Sequence, residues 1–163
     1  PFSADLKARY NTYSGTGDLY VYFYEHAVLM LRPDGVLAFI SSNKFMRTSY
    51  GMKLRQLLSS MDILSLAEFA DVHVFDALVD SCVVVVANRK RQTDSVDVLK
   101  VGEDLVEIAD FLRYAKDNTI PLSVEQFGES TWQLVNEGAL AIKAKIDDGA
   151  TLLEGISKIP EAV

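Results

Sequence analysis

The chain has 163 residues, 49% hydrophobic and 24% charged, which is a globular composition with length for one domain or one and a half. One cysteine, Cys82, excludes a disulfide framework and a cysteine-rich zinc site, and only two histidines, His26 and His73, exclude a multi-histidine metal centre. The net charge of −7 argues against a protein that coats nucleic acid by bulk charge, but residues 1–91 carry ten Lys and Arg against nine Asp and Glu, while residues 92–163 carry six against fourteen.

Residues 1–17 are polar and tyrosine-flecked and end in a loop, Ser14-Gly15-Thr16-Gly17. Asp18 is a candidate N-cap for a helix over 19–31, with Leu19, Phe23, Ala27, Met30 and Leu31 along one apolar face. Arg32-Pro33-Asp34-Gly35 stops that helix and turns the chain. Val36 to Ile40 is continuously apolar, the pattern of a strand buried on both faces of a mostly parallel sheet. Residues 50–59 read as a second helix, 63–69 as a strand, 70–80 as a loop and 83–87 as another strand. The loop between the last two strands is too short for a helical crossover, so they are expected to be antiparallel.

The alternation of helix and strand argues for an α/β sheet. After Arg91 the pattern weakens to a strand at 95–101, a helix at 105–116, a break at Pro121, an extended piece at 131–134 and a helix at 137–146. The expected division is therefore residues 1–91 as one unit and 92–163 as an acidic strand-and-helix segment. No apolar run approaches the roughly 20 residues that cross a bilayer. The polar start, with Asp5, is no secretory signal. A cytoplasmic protein is the default expectation, and a lone cysteine agrees with it.

Phosphate-binding glycine motifs, zinc-protease motifs and nucleophile elbows are absent from these residues. The Gly15-Thr16-Gly17 pair lacks a third glycine and a preceding strand. On spacing alone the chain reads as part of an α/β nucleotide-binding type of fold.

One block is more specific. Residues 13–47 run Tyr-Ser-Gly-Thr-Gly-Asp-Leu-Tyr-Val-Tyr-Phe-Tyr-Glu-His-Ala-Val-Leu-Met-Leu-Arg-Pro-Asp-Gly-Val-Leu-Ala-Phe-Ile-Ser-Ser-Asn-Lys-Phe-Met-Arg. Val74-Phe75 in the loop and the valine-rich run of residues 82–86 follow. As a set, over residues 5–100, this resembles the C-terminal half of the adenine-N6 DNA methyltransferase domain of restriction–modification enzymes, including fused type IIG restriction–methylation polypeptides. The resemblance implies a partial Rossmann-like sheet, mixed, with its last strand antiparallel, followed by a mostly helical segment. It implies S-adenosylmethionine as cofactor and double-stranded DNA as partner, with the target adenine flipped out of the duplex. Its N6 attacks the methyl directly, so Cys82 is not expected to act as a nucleophile.

The resemblance carries roles onto particular positions. Phe23 falls where an aromatic packs near the cofactor's adenine, and Asp18 and Leu19 begin the same helix; plain core packing is the other reading of Phe23. Phe75 falls on the loop aromatic that stacks on the flipped base, against a loop anchor as the other reading. Lys44, Arg47 and Arg55 are candidate phosphate contacts near the cleft, against solvated helix charge. His73 receives no role.

Two family motifs are missing from these residues: the glycine loop for the cofactor's methionine part, and the Asn/Asp-Pro-Pro-Tyr/Phe that holds the adenine amino group. No residue of this chain is therefore expected to be catalytic. The chain is expected to start after both motifs and, by itself, neither to bind the cofactor appreciably nor to methylate. A sheet edge left open by missing strands is expected to favour self-association. The segment 131–134 and the helix from Glu137 resemble the family's passage toward a target-recognition region. The competing expectations are a methyltransferase of the same fold acting on RNA, protein or a small molecule, and a non-catalytic module that binds DNA or a partner.

Overall fold

The computed structural model describes residues 2–69, 80–102 and 110–148. Helix α1 (Phe2–Arg9) is followed by α2 (Tyr20–Leu29), strand β1 (Val36–Ser42), a single 3₁₀ turn (Asn43–Met46) and α3 (Met52–Ser59). Strands β2 (Asp62–Phe69), β3 (Ser81–Ala87) and β4 (Ser95–Lys100) come next. Helix α4 (Phe111–Asn118), β5 (Ile120–Ser123), a second 3₁₀ turn (Val124–Phe127) and α5 (Glu137–Asp148) complete the order.

The strands form one five-stranded sheet in the order β1-β3-β2-β4-β5. β3 is antiparallel to both β1 and β2, as its short connection to β2 requires. β4 lies parallel to β2, and β5 closes the far edge antiparallel to β4. The expected antiparallel strand is thus inside a mixed sheet that continues into the second part of the chain. β1, β2 and β4 all run the same way, so their C-terminal ends, Ser42, Phe69 and Lys100, share one rim.

The pairing register sorts the side chains by face. Leu37, Val86 and Ile63 lie in one row, and Phe39, Val84, Leu66 and Val98 in the next. Both rows point at α2 and α3. A β-bulge between Ile63 and Ser65 adds one residue to β2, which keeps both Ile63 and Leu66 on this inner face. The core then continues through Phe45 into the second part of the chain. Trp132 is buried, its ring edge-on to Phe45 at 5.5 Å and to Phe127 at 5.2 Å. Its indole Nε1–H donates to Gly128 O and its main-chain N–H to Met46 O. On the other face α4 covers β2 and β4, with Phe111 stacked on Phe69.

Three expectations change. β1 is an edge strand among the described residues, not a strand buried on both faces: Val36 is 55% and Ile40 43% exposed, because no helix among the described residues covers their side of the sheet there. The inward face of α2 is Val21, Tyr22, Tyr24 and Glu25, whereas Leu19, Phe23 and Met30 are exposed. The tyrosines go inside because their rings pack and their hydroxyls find partners: Tyr22 donates to Ser14 O, and the Tyr24 hydroxyl lies 3.2 Å from Ser41 Oγ. The third is the N-cap, which is Leu19 rather than Asp18; the Asp18 carboxylate accepts from the neighbouring Leu19 N–H instead. Two elements were not expected from the pattern, α1 and β5. Pro121 sits inside β5 because that strand is at the edge, where a missing N–H costs no ladder bond.

Candidate functional site

The turn Arg32–Gly35 joins the C-terminal end of α2 to the N-terminal end of β1. It holds Asp34 at φ 59° and closes with a Gly35 N–H to Arg32 O bond. α2 therefore runs back along β1, and its N-terminus meets the strand-end rim. Tyr20, its first residue, packs on Phe45 and shares a 2.9 Å hydrogen bond with the Tyr50 hydroxyl there. Asp18, Leu19 and Phe23 consequently sit at the rim end of the helix.

A groove of about 330 Å³ opens between α1 and α2. Leu6 and Tyr10 line one side, Leu19, Tyr22 and Phe23 the other, and Asp5 and Arg9 add charge at its wall. Phe23 is 59% exposed and Leu19 47%, so both present apolar area to whatever enters. Asp18 adjoins this groove in sequence without lining it. The α1 side is fixed by Glu25. Its buried carboxylate accepts from the N–H and Nδ2 of Asn11 and from the N–H and Oγ1 of Thr12, at 2.6 to 3.2 Å. Burial pushes the Glu25 carboxyl up, but these donors outweigh it and hold the group below the usual carboxylate value.

At the rim itself, Asn43 donates its Nδ2–H to Glu68 Oε1 at 3.0 Å and its main-chain N–H to Asp80 O. Glu68 also faces Arg47 and Lys100. Lys44 is exposed on the same turn. Arg55 has a different place. It is 4% exposed, and its guanidinium donates to the carbonyls of Phe45, Thr48 and Glu129. A buried cation has to be paired or hydrogen-bonded, and Arg55 is held this way inside the protein. It joins the turn after β1 to the segment before Trp132, which corrects its expected place on a DNA-facing surface.

Phe75, with His73 and Val74, lies outside the described residues. Cys82 is buried, and burial pushes its thiol up to about 12, which leaves no thiolate for a nucleophile. Among the described residues no group of His, Cys, Asp and Glu is placed to hold a metal, and no helix is long and apolar enough to cross a membrane. Of the residues singled out from the sequence, Leu19 and Phe23 line the groove and Lys44 and Arg47 are exposed at the rim; Glu25, Asn43, Glu68 and Lys100 were not singled out. The signal for Glu68 was available: in a strand with inward Leu66, the inward position two residues on is a carboxylate, which demands partners.

Residues 2–75 match the model of the Eco57I restriction-modification methylase family. The chain is 36% identical over 69 residues to the type II methyltransferase M.XhoI of Xanthomonas vasicola, covering 42% of this chain and 12% of that protein. It therefore spans about an eighth of that relative's length. Its fold is similar to that of a Listeria monocytogenes protein assigned to the class I S-adenosylmethionine-dependent methyltransferases, with TM-score 0.53, 16% identity, and 72% of this chain on 38% of that one. It is also similar to the type IIG restriction endonuclease BpuSI, with TM-score 0.55, 13% identity, and 88% of this chain on 18% of that one.

Proposed function

We propose that this chain, whose residues 2–75 match the model of the Eco57I restriction-modification methylase family, serves a DNA methyltransferase that methylates N6 of adenine. The observation that carries the reading is the exposed aromatic groove beside the strand-end rim, inside the family-matched segment. S-adenosylmethionine would supply an electrophilic methyl on a sulfonium. The groove suits its adenine: Phe23 offers a ring face, Leu19 adds apolar area, and Asp18 stands next to them as a polar neighbour. Glu25 keeps the α1 wall in place. Phe75 is assigned to stack on the flipped target base, a contact worth about 1–3 kcal/mol. Lys44 and Arg47 are assigned to backbone phosphates, which position the duplex without reading sequence. Arg55 is left out of the DNA-facing set.

Residues 92–163 are proposed as the acidic connector toward target recognition, anchored by β4, β5 and Trp132. A cytoplasmic location suits DNA as substrate. Self-association through the open side of β1 completes the proposal, since an unpaired strand edge invites pairing. The test of the function is transfer of labelled methyl from S-adenosylmethionine to duplex DNA by the complete methyltransferase that this chain is proposed to serve, with Phe23→Ala as the variant. The expected result is a KM for S-adenosylmethionine raised about tenfold, equivalent to ~1.4 kcal/mol, with the KM for DNA unchanged. An unchanged KM for S-adenosylmethionine removes Phe23 from the cofactor site.

A further inference from the structure

Glu68 ends the inner face of β2 at 4% exposure, and two cations from different elements converge on its carboxylate. Arg47, closing the turn after β1, places Nη2 3.3 Å from Oε1. Lys100, the last residue of β4, places Nζ 3.9 Å from Oε2. The parallel pairing of β2 with β4 sets Glu68 opposite Lys100, so the meeting is built into the sheet register. With the Asn43 hydrogen bond, these partners compensate a buried carboxylate.

The cationic side chains themselves stay largely in water, at 66% exposure for Arg47 and 51% for Lys100. Ion pairs so exposed add little stability. Their consequence is geometric: one buried anchor holds two long, flexible cations side by side, reducing the rotamer freedom lost when a ligand binds. Arg47 commits one terminal nitrogen to Glu68 and keeps the rest of its donor fork. The place matters as well, because ligands of open α/β sheets bind beyond the carboxyl ends of the strands. Lys44 adds a further exposed cation on the same rim, where the exposed Asp80 is an opposing anion.

We propose that Arg47 and Lys100, held by Glu68, form a two-cation seat for a backbone phosphate of duplex DNA. The seat rests on the methyltransferase reading for its choice of partner. It adds Lys100, from the acidic part of the chain, to the DNA-facing surface, and makes Glu68 a positioning residue.

Salt dependence of binding tests it, because each phosphate contact contributes about −0.9 to the slope of log K against log salt. A fluorescein-labelled DNA duplex is titrated with the protein across a potassium chloride series. Lys100→Gln is expected to make the slope shallower by about 0.9, and Arg47→Gln by a similar amount. The double variant loses no more than about 0.9 in all, since both cations serve one phosphate. Arg32→Gln, at the opposite end of β1, is expected to keep the full slope. Unchanged melting temperatures show that the variants fold.

Slopes in Lys100→Gln and Arg47→Gln equal to that of the unaltered protein overturn the seat, and methylation by the complete methyltransferase then leaves the enzyme reading standing. Tighter binding of an RNA hairpin than of the duplex, with the same slope losses, overturns the choice of DNA. Absence of salt-dependent duplex binding by the unaltered protein overturns both the seat and the DNA reading.

Discussion

Arg55 and Arg47 stand eight positions apart and read alike in sequence, yet the fold uses them in opposite ways. Arg55 caps three main-chain carbonyls from inside, while Arg47 keeps most of its surface in water. Arg55→Met leaves those carbonyls without their donor, and about 3 kcal/mol of stability is expected to go in urea unfolding. The salt slope of DNA binding is expected to remain. A shallower slope at full stability would return Arg55 to the phosphate-contacting set. Glu25 gives a pH signature. Its folded-state value lies below the ordinary one, so its contribution is present above the ordinary carboxylate range and lost as pH falls through the lowered value. Urea midpoints of the unaltered protein should drop over that acid window, and Glu25→Gln should lack this part of the drop. Parallel curves for the two proteins contradict the clamp.

At the scale of elements, α2, β1, α3, β2 and β3 were legible because apolar runs of the right length alternate with turn residues such as Pro33-Asp34-Gly35. The inward face of α2 was not legible. Counting hydropathy favours Leu19, Phe23 and Met30, but the structure buries tyrosines whose hydroxyls reach Ser14 and Ser41, information that lies in the loops they meet. α1 escaped notice because its residues show no apolar period, and β5 because Pro121 suggests a break. Phe23 was assigned to the candidate site through the family resemblance, and it lines the groove. The pairing of Glu68 with Lys100 was not legible, since only the parallel register of β2 and β4 brings them together. β1 carries a consequence of its own. Its backbone pairs with β3 on one side, and its outward Val36 and Ile40 are exposed. The proposed self-association predicts a concentration-dependent elution in size-exclusion chromatography, shifted toward monomer by Ile40→Lys. A charged side chain beside an open edge opposes strand pairing. A monomer at all concentrations would contradict it.

For the whole molecule, the net charge of −7 describes an average that neither site sees. Most of it lies beyond Arg91, yet that same part contributes Lys100 to the rim and Trp132 to the core, so the charge division is not a division of the packing. The groove lies against α2, whose N-terminus meets the strand-end rim, and the proposed function uses both. The chemical identity of the acceptor tests that account most directly. The complete methyltransferase that this chain is proposed to serve is supplied with radiolabelled S-adenosylmethionine and duplex DNA, and the digested nucleosides are separated. Label in N6-methyladenine is the predicted result; label confined to cytosine, or to RNA or protein offered in parallel, would contradict it.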